Sequence, residues 1–210
     1  MLGIHDYWAF LLTGMLLNLT PGQDTFFILG RSIAGGARVG VAAALGITAG
    51  SIVHTLLAAI GLSALLATSA VAFAVVKSVG AAYLVYLGLR MLLEHNAEFA
   101  VQTPVSSRAS VGPAFRQGML TNLLNPKVAL FFLALMPQFI AAKSPHKVFA
   151  FLVLGVTFVT TGTIWCLCLA LMSGRLGAAL MARPTLGRAV SRVAGGVFVA
   201  LGVRLALARR

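Results

Sequence analysis

Two stretches carry nearly all of the polar chemistry that this chain holds inside apolar sequence. Asn18-Leu19-Thr20-Pro21-Gly22-Gln23-Asp24-Thr25 offers two amides, two hydroxyls and a carboxylate; Asn122-Leu123-Leu124-Asn125-Pro126-Lys127 offers two amides and an ammonium. Pro21 has no amide hydrogen to donate and crowds the turn before it, and Gly22 adds backbone freedom. A helix is therefore expected to open there, leaving carbonyls before the break and amide hydrogens after it. Pro126 repeats the device. Unpaired backbone at membrane depth is tolerated only when buried in protein or facing a wet cavity. The helical piece beyond such a break presents its positive dipole end, suited to a carboxylate.

Asp24 is the acidic residue set deepest in an apolar run, because Asp6, Glu94 and Glu98 fall at ends or in loops. A carboxylate at that depth is expensive and is by default a functional group. It either binds an ammonium group or carries a proton; the structural alternatives are a cap on the helix restarted after Pro21, or a permanent pair with Arg31 or Lys127. A zwitterion would match Asp24 with its ammonium and Lys127, or a helix N-terminus, with its carboxylate. His54, with Ser51 and Thr55, is a second candidate for proton coupling, against the alternative of a hydrogen-bonded packing histidine. Candidate substrate contacts are thus Asn18, Thr20, Pro21, Gly22, Asp24, Asn122, Asn125, Pro126 and Lys127, with Asp24 and His54 as proton-coupling candidates.

The elements that position these groups follow from composition. Of 210 residues, 60% are hydrophobic and 10% charged, and the mean hydropathy is +0.98. Soluble domains carry about 25% charged residues. Six apolar segments, at 7–29, 39–66, 70–93, 115–140, 147–172 and 187–207, suit a hydrocarbon core of ~30 Å and lack the alternation of barrel strands. The expected fold is an all-α membrane protein in contact with lipid. The +12 net charge belongs to helix ends and anionic headgroups rather than to nucleic acid. Basic-residue counts favour the loops after segments one, three and five as cytoplasmic, with both termini outside.

The two stretches are also copies. GMLLNLTPGQDTFFIL at 14–29 and GMLTNLLNPKVALFFL at 118–133 match at Gly14/Gly118, Met15/Met119, Leu16/Leu120, Asn18/Asn122, Leu19/Leu123, Phe27/Phe131 and Leu29/Leu133. Leu45-Gly46-Ile47-Thr48 resembles Leu154-Gly155-Val156-Thr157, and Leu87-Gly88-Leu89-Arg90 resembles Leu201-Gly202-Val203-Arg204. A duplicated unit of three spans enters the membrane upside down the second time, which predicts two inverted three-helix repeats with broken first helices, 1–93 and 114–210, joined by a polar loop at 94–113. Repeated, proline-interrupted spans point to a transporter's binding site. Gly46 and Gly50 form a small-residue face for close helix contact, within the chain or across a homodimer. Cys166 and Cys168, two apart on a helix, point to nearly opposite sides and read as packing residues.

These motifs resemble the LysE/RhtB family of bacterial amino-acid exporters. The likeness lies in Leu19-Thr20-Pro21-Gly22, Arg31-Ser32 with the following Gly-rich turn and Gly40, Leu45-Gly46-Ile47-Thr48-Ala49-Gly50, and Lys77-Ser78-Val79-Gly80-Ala81-Ala82-Tyr83-Leu84 with Leu87-Gly88. It continues through Asn122-Leu123-Leu124-Asn125-Pro126-Lys127, Phe131-Phe132 and Pro137-Gln138-Phe139. Gln23 departs from it, since many members have a second proline after Thr-Pro-Gly. The resemblance implies a multi-pass protein of the bacterial inner membrane that exports amino acids or close derivatives from the cytoplasm, driven by the proton gradient, with no cofactor and no catalytic residues. A metal-ion or other small-solute exporter of related fold is the alternative, but clustered His, Asp or Cys ligands inside the helices are thin. A thiol-redox carrier would need cysteines at the breaks, which have none, and no nucleophile–base or metal motif suggests an enzyme.

Overall fold

The computed structural model describes residues 2–63, 70–93, 110–141, 144–182 and 184–207. Among them the regular structure is helical, apart from one isolated antiparallel bridge between Ile4 and Ile140. Helix α1 (Tyr7–Leu19) precedes α2 (Gln23–Leu57), which runs on into a π-helical turn at Ala58–Leu62. Then come α3 (Ala70–Leu93), α4 (Val111–Leu123) and α5 (Pro126–Leu130). The last of these tightens from a π-helical turn at Phe131–Leu135 into a 3-10 turn at Met136–Phe139. Helices α6 (Lys147–Ala182) and α7 (Pro184–Leu207) complete the chain.

Gln23–Leu62 and Lys147–Ser173 are each long and apolar enough to cross a membrane, and Val111–Leu123 with Pro126–Phe139 forms a third candidate bent by 47°. Tyr7–Leu19, Ser78–Leu93 and Gly195–Arg204 are shorter apolar helices. The 40 residues of Gln23–Leu62 would measure about 60 Å if straight, twice a hydrocarbon core. They are not straight. Gly36 has φ 76° and ψ 176°, a conformation that L side chains rarely adopt. A Cβ placed on Gly40 would lie 3.2 Å from the Cα of Ser32, whereas residues eight apart in one helix are separated by about 12 Å. The chain therefore doubles back at Gly36.

Three boundaries differ from the sequence expectation. Helix α4 begins at Val111 rather than after 113, with Ser110 extended at its N-cap and Pro113 in its first turn, where a missing amide hydrogen costs nothing. The stretch between the fifth and sixth apolar segments, expected as a loop, is helical through Ala182 and again from Pro184, because Ala, Leu, Met and Arg dominate it and are strong helix formers. Most of the expected linker, 94–109, lies outside the described residues.

Glycine sets the packing. A Cβ on Gly46 would meet the Phe115 carbonyl oxygen at 2.1 Å, and one on Gly118 the Ala43 carbonyl oxygen at 2.4 Å. The second arm of α2 and helix α4 thus touch backbone to backbone, and the Gly46/Gly50 face is used within the chain. Helices α3 and α7 cross in the same way. Gly88 faces the Gly195 oxygen and Val199, while Gly202 faces the Ala81 oxygen and Val85, so the two helices run in opposite directions. The N-terminal segment is held to the turn after α5 by His5 N donating to Phe139 O (3.0 Å), Ala141 N to Gly3 O (2.8 Å) and Ser144 Oγ to Leu2 O (2.8 Å).

Two apolar clusters result. One gathers Phe10, Leu17, Phe131, Phe132, Leu154 and Phe158, with the Phe131 and Phe158 rings stacked at 4.5 Å. The other joins Phe27, Ile28, Ala43, Ile47, Cys166 and Leu169. Large apolar side chains such as Trp8, Ile33, Ile60, Val71, Phe149 and Val156 remain exposed, far more than water would tolerate in one molecule and as expected of a lipid-facing surface.

Candidate functional site

Both helices open where the prolines stand. Helix α1 ends at Leu19 and α2 begins at Gln23, with Thr20 and Gly22 extended between them. Helix α4 ends at Leu123, and Pro126 opens α5 with Asn125 as N-cap, its Oδ1 accepting from Lys127 N at 3.0 Å. The two breaks adjoin. Lys127 Nζ donates to Leu17 O at 2.9 Å and Thr20 O at 3.0 Å, and a Cβ on Gly22 would stand 3.4 Å from that same nitrogen. The cation of the second break thus satisfies carbonyls that the first break exposes, at the negative end of α1. Thr20 covers another, its Oγ1 donating to Leu16 O at 2.6 Å.

Asp24 occupies the first turn of α2, at the positive end of that helix. Its Oδ2 accepts from Asn122 Nδ2 at 2.8 Å, and its Oδ1 is buried with no hydrogen-bond partner. Among the described residues the ion pairs within 4.0 Å are His5–Asp6 and Arg204–Asp6, so the permanent pairing of Asp24 with Lys127 is not made. Nor is the pairing with Arg31, which donates to Gln117 Oε1 and lies over the Phe27 ring at 5.3 Å.

Asn122, almost wholly buried, is the hub. The carboxylate of Asp24 can only accept, which turns the Asn122 Nδ2 toward it, and Ser51 Oγ donates to Oδ1 at 3.2 Å on the other side. His54 Nε2 lies 3.3 Å from Asn122 O, and its ring stacks on Phe132 at 5.6 Å. Asn18, the repeat partner of Asn122, donates to Thr161 Oγ1 at 3.4 Å. Each repeated asparagine therefore bonds a hydroxyl on a helix of the other half of the chain.

One cavity collects these groups. It is open at one side, and Asn18, Thr20, Gly22, Asp24, Asn122, Asn125 and Lys127 line it. Pro21 and Pro126 shape the backbone beside it without lining it, and His54 reaches it only through Asn122. The remaining wall joins the two apolar clusters through Leu17, Val128 and Phe158 on one side and Ile47 and Cys166 on the other. Sequence reasoning missed what α6 supplies here: Thr163, hydrogen-bonded to Thr48 at 2.9 Å, and Trp165. The one available signal was the run of threonines at 157, 160, 161 and 163 inside an apolar segment.

The LysE type translocator family model matches residues 15–209. A Vibrio cholerae protein described as an uncharacterized membrane protein is 35% identical over 98% of each chain. The homoserine/homoserine lactone efflux protein of Salmonella typhimurium is 34% identical over 97% of this chain and 98% of its own. The leucine efflux protein of Salmonella choleraesuis is 30% identical over 97% and 96%. No solved structure matches significantly. With a translocator model over almost its whole length and efflux proteins aligned end to end, the chain belongs to the LysE type translocator family, multi-pass membrane transporters rather than enzymes.

Proposed function

We propose that the protein exports neutral amino acids or close derivatives from the cytoplasm in exchange for protons. The observation that carries this reading is that a carboxylate, an ammonium and two repeated amides converge on one cavity where two broken helices adjoin. A zwitterion supplies the complementary charges: its carboxylate takes Lys127 Nζ from the Leu17 and Thr20 carbonyls, and its ammonium goes to Asp24 Oδ1. Because Asn122 already occupies Oδ2 as a donor, Oδ1 is the oxygen left for a proton as well. Ammonium and proton then exclude one another at a single atom, which is the requirement for exchange. His54, whose Nε2 lies against Asn122 O, is the second proton-coupling candidate. The related efflux proteins named for homoserine and leucine support a neutral amino-acid substrate.

The same reading takes the chain as six spans in two inverted repeats, 1–93 and 114–210, joined by 94–113. Two features support it. Gly88 meets Gly195 and Val199 while Gly202 meets Ala81 and Val85, a reciprocal pattern at the repeat spacing of 114. The reversal at Gly36 also separates the broken first span from the second. Export of a metal ion is disfavoured because Lys127 would repel a divalent cation within the same cavity.

The test is transport by the purified protein in proteoliposomes carrying labelled homoserine or leucine. An imposed pH gradient should drive uptake into vesicles acidic inside, and collapse of the gradient should leave exchange only. Transport indifferent to the pH gradient would remove proton antiport, and no transport of any amino acid would remove the substrate class.

A further inference from the structure

Two buried polar atoms of opposite character on the lining residues lack partners within the protein. One is the acceptor Asp24 Oδ1; the other is the donor Trp165 Nε1. Several other side-chain donors of the wall are already directed. Thr20 donates to Leu16 O and Ser51 to Asn122 Oδ1. Thr48 Oγ1 donates to Ala44 O at 3.1 Å, so in the Thr48–Thr163 contact the hydrogen comes from Thr163. Buried indole N–H groups ordinarily find an acceptor, and one left unpaired is costly.

We infer that Trp165 reads the substrate's side chain and that the preferred substrate carries an uncharged oxygen acceptor there, as a hydroxyl, ester or amide does. This rests on the amino-acid reading above, in which the charged ends of the substrate belong to Asp24 and Lys127. Its side chain then lies along the apolar wall of Ile47, Phe158 and Val159 beside Trp165, whose Nε1 is a buried donor without a partner. A purely aliphatic side chain fits the wall but leaves the N–H unpaired. A site made to hydrogen-bond a substrate group rejects the analogue lacking it, whereas a merely apolar pocket does not.

Homoserine and norvaline are the isosteric pair that tests this, differing by a terminal hydroxyl in place of a methyl. In proteoliposomes holding the wild-type protein, homoserine should be transported with a kcat/KM roughly tenfold above norvaline, the factor that one lost hydrogen bond gives. Trp165→Phe keeps an aromatic ring and removes the donor, so the homoserine-to-norvaline ratio should fall to about one, homoserine losing the more. The amount of membrane-inserted, folded protein is measured alongside. A wild-type ratio near one overturns the inference without recourse to any variant, and so does a Trp165→Phe protein that keeps the preference or loses both substrates equally. Amino-acid transport that ignores the hydroxyl sinks this inference alone; wild-type protein that moves neither compound sinks the amino-acid reading with it.

Discussion

Replacing Asp24 with Asn changes one atom and inverts the polarity of the site. Asn122 Nδ2 donates to Asp24 Oδ2 at 2.8 Å while its Oδ1 accepts from Ser51. With the Asn122 amide kept in that orientation, the new carbonyl of Asp24→Asn takes the Oδ2 position, because an amino group there would face a donor. The new amino group falls where Oδ1 was, and the atom offered to a substrate ammonium becomes a donor itself. A hydrogen bond to a charged group is worth about 1.5–3 kcal/mol, and the loss here is near the upper end because a repelling donor replaces the acceptor. About 3 kcal/mol is roughly 100-fold in affinity. The fold should survive, since the substitution keeps size and the Asn122 contact. The assay is homoserine counterflow without a pH gradient alongside gradient-driven uptake, with the amount of membrane-inserted protein measured in each preparation. Both activities should be lost together. Counterflow at the wild-type rate with gradient-driven uptake abolished would refute ammonium binding and leave Asp24 as a proton carrier only; wild-type rates in both would leave it a residue of the helix start.

Lys127→Met should stop transport while leaving protein in the membrane at lower thermal stability, because the Leu17 and Thr20 carbonyls lose their donor; Lys127→Arg should keep part of the activity, the charge surviving in a different shape. Ser51→Ala removes the hydrogen bond that holds Asn122 Oδ1 and should lower counterflow about fivefold, the equivalent of ~1 kcal/mol, with no change in membrane insertion. Gly46→Ala places a methyl 2.1 Å from the Phe115 carbonyl oxygen and should destabilise by about 1–3 kcal/mol, read as a lower melting temperature in detergent. Gly112→Ala, with open space around the added carbon, should instead be neutral or stabilise by up to about 1 kcal/mol.

The sequence by itself determined whatever depends on backbone chemistry and gross partitioning. Low charge and long apolar runs dictate helices, since backbone polar groups in lipid must pair within the segment. Thr20-Pro21-Gly22 and Asn125-Pro126 open those helices because proline lacks a donor, whatever surrounds it. Asp24 and Lys127 stood out as costly residues needing a partner, and the repeat alignment placed them at equivalent breaks. What only the tertiary structure decided is direction: which way each helix is rotated, and hence which atoms meet. Small residues at 46 and 50 permit close approach to any helix, and only the packed bundle selects α4. Lys127 has three donors and a long stem, so its turn toward the Leu17 and Thr20 carbonyls rather than toward Asp24 depends on how the two breaks are set side by side. Trp165 looked like one more apolar residue of a membrane helix until α6 placed it in the wall of the cavity. The Gly-rich turn between the first two apolar segments was legible in the sequence, but that Gly36 makes it, with φ 76°, and sets Ser32 against Gly40 is a contact between helical arms that only the fold decides.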